Sequence, residues 1–509
     1  MLEKLAKQTA VYGISTIVGR FLSYLLTPLY TRLFAEGTYG IITDVYALIP
    51  FVMVVLTMGM ESSYFRFAAR AEAEGGDVRA AKKRLFATTW GVTSLAAAVF
   101  FAVIAVFCRQ VAAVMGEAYV AHPEYVLLVG LIVMLDVVGC LPFSRLREQG
   151  RAGLFVTLKM MNILLNVGLA IAFGAAGLYS TEFGVGWVLV ANLAASTVTL
   201  GALMFTVDGT VPNIDRRLLA AVFVYSLPLL LSGAAATASE FIDRQLIKYL
   251  VPGDSMAQLG IYGAVTKIAV VMTLFTQMYR LAAEPFFLAN YKKEEFVEMN
   301  AAALKYFIMV SVAIFLGITL FRDLFALIVG PRFRVGIDIL PVVLATNIMA
   351  GVWLNLSFWY KREEKTRYAL YITLTGLAVT LTLGFCAVPV WGYRGAAWVR
   401  FAAEAVMVAV SIWLNRRCFP TPYDWRRIGE YVAVGAVMYC ASEAVLKVLP
   451  DPLVHTGVAA VLFAASELSE LSGVAKYALN AALMLAFAGY AVRRENIDLK
   501  GLAKAVLKR

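Results

Sequence analysis

Charge is scarce in this sequence: 16% of its 509 residues are Asp, Glu, Lys or Arg, against 61% hydrophobic, and the mean hydropathy is +0.76. So little charge excludes an ordinary water-soluble enzyme and a disordered chain, and leaves a polytopic membrane protein. Histidine is scarcer still. His122 and His455 are the only two, far apart in sequence, which argues against a histidine-based metal or catalytic site. The five cysteines (Cys108, Cys140, Cys386, Cys418, Cys440) show no C-x-x-C spacing and stand in or beside apolar runs, as small buried apolar residues do. There is no G-x-x-x-x-G-K-[ST], no G-x-S-x-G and no H-E-x-x-H, so this chain shows no motif for binding ATP or for hydrolytic chemistry. Energy for any transport would then come from an ion gradient or the membrane potential. Short alternating segments of the kind that build a membrane β-barrel are also missing.

Long apolar runs are what the sequence does have. Fourteen segments of about 20 residues suit a hydrocarbon core about 30 Å thick. They run roughly 10–33, 40–62, 85–107, 124–144, 152–175, 183–206, 218–242, 259–283, 303–321, 338–360, 368–390, 394–415, 428–448 and 475–492. The N-terminal MLEKLAKQTA resembles a signal n-region, but the apolar run after it is too long for an h-region, so it is expected to be an uncleaved first span. A weaker run, Leu453 to Ala465, is too short to cross and is expected to be interfacial or re-entrant. The C-terminal NIDLKGLAKAVLKR is expected to be an amphipathic anchor on anionic lipid.

The net charge of +11 lies in alternate loops, which points to topology and not to nucleic acid. With the N-terminus inside, the inner segments hold 30 of the 45 lysines and arginines, the outer segments hold ten, and five fall within spans. This bias places both termini in the cytoplasm. An internal repeat accompanies it. FSRLREQGRAGLFVTLKMMNILLNVGLAI from Phe143 parallels WYKREEKTRYALYITLTGLAVTLTLGF from Trp359, with Arg151 and Arg367 in register, and GTYGII at Gly37 resembles QLGIYG at Gln258. Six spans separate the copies, so the expected fold is all-α, with two parallel six-helix lobes, residues 1–210 and 211–420, followed by two further spans and a tail in 421–509.

Ionisable residues inside spans mark the candidate site, because each is costly in lipid and normally faces a protein-lined cavity. Arg20 is central in the first span, Asp136 in the fourth, Lys159 in the fifth, Lys267 in the eighth and Arg400 in the twelfth. Arg400 and Glu404 are four residues apart on one helix, as are Arg280 and Glu284, so each pair can neutralise itself. Asp136 can pair with Arg20 or Lys159, or bind a coupling proton or sodium ion. The deeper groups are Arg20, Lys159, Lys267 and Arg400 against Asp136 and Glu404. That surplus of cations in a low-dielectric cavity suits a diphosphate. Asp44, Glu61, Glu240 and Asp243 lie nearer the span ends and are candidates for gating or interfacial pairing. Pro28 and Pro228 occupy the opening helices of the two repeats and are candidate bending points.

Taken in order, Arg20, TRLFAEGTYGIITDVYAL, GMESSYFRFAA, YSLPLLLSG, FIDRQLIKYL and LGIYGAVTKIA resemble the polysaccharide-biosynthesis (Wzx-type) flippases. These belong to the multidrug/oligosaccharidyl-lipid/polysaccharide exporter superfamily. The resemblance implies a V-shaped two-lobed transporter of undecaprenyl-pyrophosphate-linked oligosaccharides in the bacterial cytoplasmic membrane, with membrane lipids, glycosyltransferases and a polysaccharide polymerase as partners and no cofactor. Related lipid II flippases carry cavity arginines on spans one, two and eight. Arg20 matches the first, and Lys267 and Arg280 are the candidates on the eighth. No arginine interrupts the middle of span two, which speaks against a peptidoglycan precursor. The rival functions are a lipid II flippase, a drug/cation antiporter with an acidic cavity, and a membrane glycan polymerase, which would need carboxylates on a sizeable external loop.

Overall fold

The computed structural model describes residues 18–19, 21–22, 24–290, 295–363, 365, 367–448 and 465–495. Helices and short 3-10 turns account for its regular structure, and no strand occurs among the described residues. In chain order the helices are α1 (Leu26–Leu33), α2 (Glu36–Thr57), α3 (Met60–Glu74), α4 (Val78–Val106), α5 (Cys108–Met115), α6 (Glu117–Ala121), α7 (Pro123–Glu148), α8 (Ala152–Ala175), α9 (Gly186–Met204) and α10 (Arg216–Leu250). They continue with α11 (Ser255–Ile268), α12 (Val270–Asn290), α13 (Phe296–Leu320), α14 (Arg322–Ala326), α15 (Leu340–Leu356), α16 (Phe358–Arg362), α17 (Arg367–Cys418), α18 (Trp425–Val448) and α19 (Ala465–Arg494).

Nine helical stretches among the described residues are long and apolar enough to cross a membrane, or ten if Ser255–Ile268 and Val270–Ala283 count as one span. That count covers the described residues and differs from the fourteen expected. α17 carries two of the expected spans in one 52-residue run interrupted at Gly392. α18 and α19 are helical where the last two spans are expected, but are not among those nine. Residues 10–17, 20 and 23 of the first expected span, the run from Leu453 to Ala464 and the C-terminal tail lie outside the described residues. Side chains such as Val106, Val224 and Leu485 are largely exposed; on helices this long, that is the signature of a lipid-facing surface.

The helices group into two compact units: Met1–Lys267 with Gly330–Val335 and Arg367–Ala403, and Ile268–Val329 with Gly336–Thr366 and Glu404–Arg509. In the first, Met60, Tyr64, Phe86, Trp90 and Leu141 form one core. The Trp90 indole N–H donates to the Val138 carbonyl at 3.0 Å, so the largest buried ring there has its polar atom satisfied. In the second, Leu304, Phe307, Leu316, Leu356, Tyr431 and Phe487 form another.

Two features of the first unit bear on function. α2 ends where Met58 and Gly59 both adopt left-handed backbone angles, so the second expected span divides into α2 and α3. The repeat motifs at Gly37 and Gln258 also meet face to face. A Cβ on Gly40 would run into the Met256 carbonyl, and a Cβ on Gly260 into the Glu36 carbonyl. Each glycine faces the residue four positions before the other, so the two repeat segments cross about a local two-fold with backbone against backbone. Only glycine permits that approach.

Candidate functional site

A cavity of about 410 Å³ opens in the first unit between α1, α2, α8, α10 and α11. Tyr24, Tyr30, Tyr39 and Tyr46 contribute phenol rings to its wall, and Thr27, Thr43, Thr237 and Thr266 contribute hydroxyls. Asn166 lines it with a buried side-chain oxygen that has no hydrogen-bond partner among the described residues. Its two charged lining residues are Arg244 and Lys267, and no carboxylate lines it among the described residues. Lys267 places its ammonium 4.8 Å from the Tyr24 ring centroid, a distance at which the ring face stabilises the cation. Phe51, also in the wall, stacks on Phe241 at 4.9 Å. Its described lining residues therefore make a concave surface with two cations, many hydroxyls and aromatic faces.

Of the four cations expected to share one site, Lys267 is the one that lines this cavity. Arg20 lies outside the described residues. Lys159 lines a second cavity, of about 440 Å³, together with Glu61, Asp136, Cys140, Arg147 and Asn162. Its ammonium lies 4.2 Å from the Phe143 ring centroid. Asp136 accepts a hydrogen bond from the Ser196 hydroxyl at 2.7 Å and makes no ion pair within 4 Å among the described residues, so of the two pairings open to it, with Arg20 or Lys159, the one with Lys159 does not form as a direct contact. Glu61 accepts hydrogen bonds from the Cys140 thiol and, at 3.1 Å, from the Ser144 hydroxyl.

Arg400 is on α17, with a guanidinium nitrogen 3.6 Å from an Asp243 carboxylate oxygen. Asp243 also accepts from the Tyr262 hydroxyl at 3.1 Å. The break at Gly392 serves this region, because there the Tyr393 N–H donates to the Gln258 side-chain oxygen at 3.0 Å. Gly392 has φ +57°, and a Cβ would collide with the same oxygen. In the second unit, Arg280 on α12 is exposed and Glu404 is buried. The side chains of Glu240 and Glu284 lie outside the described residues.

Asp44 is the most fully coordinated of the expected carboxylates. It is 1% exposed, 2.5 Å from the Lys248 ammonium, and accepts from Gln245 at 2.8 Å and the Tyr119 hydroxyl at 2.7 Å. Three helices, α2, α6 and α10, thus converge on one buried charge pair. Neither Lys248 nor the cavity residue Arg244 stands out from the sequence, because the apolar run of the seventh span ends near residue 242. α10 continues unbroken to Leu250. The available signal is the spacing Asp243, Arg244, Gln245, Lys248, which continues the helical period and puts Arg244 and Lys248 four apart on one face.

An all-helical membrane protein with a basic, hydroxyl-lined cavity is what this fold defines. It has the fold of solved transporters of the MOP superfamily. The chain resembles the lipid II flippase MurJ in an inward closed conformation, at 11% identity, covering 96% of this chain and all of that one, with a TM-score of 0.72. It also resembles an inward-facing multidrug resistance MATE-family transporter, at 15% identity, 82% and 96% coverage and a TM-score of 0.67. A third is a MOP-superfamily transporter from Pyrococcus furiosus whose binding pocket is described as reversed in polarity, at 16% identity, 84% and 96% coverage and a TM-score of 0.52. No curated protein matches the chain by sequence. The family profile described as polysaccharide biosynthesis protein matches residues 5–290, more than half the chain, and the chain belongs to that family.

Proposed function

We propose that this protein is a flippase that carries a lipid-linked oligosaccharide, joined to its polyprenyl chain by a diphosphate, across the bacterial cytoplasmic membrane. The observation that carries this is the make-up of the 410 Å³ cavity, which has Arg244 and Lys267 in its wall and no carboxylate among its described lining residues. Fixed cations in a low-dielectric wall hold a diphosphate, with the arginine fork matching its oxygens. The phenol rings, threonine hydroxyls and Asn166 offer a sugar stacking faces and hydrogen bonds. A volume within the ~300–1,000 Å³ typical of ligand pockets accommodates the headgroup, while the polyprenyl tail stays in lipid.

The same composition disfavours a drug/cation antiporter, for which a cationic wall is repulsive. A lipid II flippase has a comparable headgroup and remains the nearest alternative, distinguished by the sugar it moves. Transport proceeds by alternating access of the two repeat lobes, 1–210 and 211–420, with both termini in the cytoplasm. Asp136, beside the Ser196 hydroxyl and sharing its cavity with Lys159, is the proposed site for a coupling proton or sodium ion. Arg20 belongs with Arg244 and Lys267 in this proposal.

The decisive experiment measures leaflet-specific accessibility of a lipid-linked oligosaccharide in vesicles containing the purified protein. Arg244→Ala and Lys267→Ala should each lower the transport rate about tenfold or more, the scale of losing a charge-assisted hydrogen bond to phosphate, and Arg20→Ala should do the same. Unchanged transport in Arg244→Ala and Lys267→Ala would remove the cavity from the mechanism. Faster uptake of an organic cation than of the glycolipid would favour the antiporter.

A further inference from the structure

A second basic cavity, of about 790 Å³, lies away from the transport site, where the first turns of α4 and α10 flank the segment joining α9 to α10. That segment is held at both ends. The Arg145 guanidinium donates to the Val207 carbonyl at 2.8 Å and pairs with Asp208 at 2.9 Å. Further along, the Asn213 N–H donates to the Ala87 carbonyl at 3.1 Å and the Asp215 N–H to the Thr88 hydroxyl at 3.3 Å. The pocket is built, not a chance gap between loose loops.

Four cations line it: Lys83, Arg84, Arg216 and Arg217. Its one carboxylate, Asp215, is already engaged, since it pairs with Arg84 and caps α10 by accepting from the Arg217 and Leu218 N–H groups at 3.0 and 3.2 Å. Lys83, Arg216 and Arg217 have no ion-pair partner among the described residues. Thr210 also lines the pocket, is 6% exposed, and has a hydroxyl with no hydrogen-bond partner among the described residues. A buried donor is costly to leave unmade, and here it stands beside three uncompensated cations. Phe205 and Val211, in the same segment, are 91% and 74% exposed. Large apolar side chains next to lysine and arginine are the pattern of a surface lying at the headgroup level of a bilayer.

We propose that this pocket binds the phosphate headgroup of an anionic phospholipid in the cytoplasmic leaflet, with Lys83, Arg216 and Arg217 around the phosphate, the Thr210 hydroxyl donating to it, and Phe205 and Val211 among the acyl chains. The inference rests on the charge-bias orientation, which puts both flanking segments on the cytoplasmic side. It does not depend on what the transport cavity carries.

The test titrates the purified, delipidated full chain with phosphatidylglycerol, phosphatidylcholine, inorganic phosphate and a polyprenyl diphosphate, and reads the bound species by native mass spectrometry. Phosphatidylglycerol should bind in preference to phosphatidylcholine. Each of Lys83→Gln, Arg216→Gln and Arg217→Gln should weaken that binding about fivefold, the usual contribution of one basic residue at an anionic surface. Thr210→Val should weaken it with no change in charge. The charge-keeping variant Lys83→Arg/Arg216→Lys/Arg217→Lys should retain binding, which separates loss of the site from loss of the fold. Equal retention of phosphatidylglycerol by the triple glutamine variant, or no preference over phosphatidylcholine, overturns the proposal. Inorganic phosphate competing as well as the lipid would make this a free-anion site, and displacement by the polyprenyl diphosphate at lower concentration would assign it to the transported substrate. Either result also overturns it.

Discussion

Removing one member of the Asp44–Lys248 pair should destabilise the protein far more than removing both. At 2.5 Å, two unit charges attract by about 7 kcal/mol at an effective dielectric constant of about 20. Most of that attraction offsets the desolvation of two groups that are 1% and 5% exposed. In Asp44→Ala the lysine loses its counterion but keeps its burial, and breaking a buried pair in this way costs about 3–5 kcal/mol. At roughly 2 °C per kcal/mol for a unit of this size, the thermal midpoint in detergent should fall by about 6–10 °C. Asp44→Leu/Lys248→Met takes both charges out and fills the space with apolar atoms, so it should recover most of the loss, less what the Tyr119 and Gln245 donors forfeit. The assay is a double-mutant cycle on the thermal midpoint, with both single variants and the double measured at one ionic strength. If the double variant is as unstable as Asp44→Ala, the charge pair is not what holds α2, α6 and α10 together, and the reasoning fails.

Other perturbations follow from particular contacts. Gly260→Ala should cost about 1–3 kcal/mol by overpacking, seen as a lower thermal midpoint, because its Cβ would strike the Glu36 carbonyl; Gly429→Ala, whose added Cβ would meet open space among the described residues, should not. At Glu495, burial pushes the carboxyl up, and hydrogen bonds from Lys305 and Tyr431 with the Lys305 and Arg427 charges more than reverse it, holding it below the ordinary carboxylate range. Its contribution to stability is therefore full above the unfolded pKa of about 4.3 and lost as pH falls through the lower folded value. Thermal midpoints scanned from neutral pH to about pH 3 should show wild type losing an increment that Glu495→Gln lacks throughout. Asp136→Asn should abolish any dependence of glycolipid transport on the proton or sodium gradient while leaving binding of the headgroup intact, measured by transport with and without an imposed gradient.

Hydropathy made the helical membrane fold legible, because a span must satisfy its backbone internally and cover itself with apolar side chains. It misjudged where helices stop. α10 carries Asp243, Arg244 and Lys248 beyond its apolar run, stabilised by partners such as Asp44 that are 200 residues distant, and no local pattern reports such partners. Of the candidate cations read from their depth in the spans, Lys267 lines the 410 Å³ cavity. Lys159 and Arg400 look equivalent to Lys267 along the chain, but Lys159 packs over Phe143 and Arg400 against Asp243. Which buried charges share a space depends on helix rotation, and that is set by packing, not by sequence position. The break at Met58 and Gly59 was also hidden, because apolar residues continue across it.

The crossing at Gly40 and Gly260 has a mechanical consequence. Most helix pairs interlock, so separating them means lifting ridges out of grooves and resetting side-chain rotamers on both surfaces. Here two smooth patches of main chain touch, with nothing to disengage. Such a junction grips tightly when closed, since every atom at the contact is in close range, yet it has almost no catch to release when it parts. Because the contact is reciprocal, each glycine lying against the residue four before the other, a displacement that frees one patch frees the other in the same stroke.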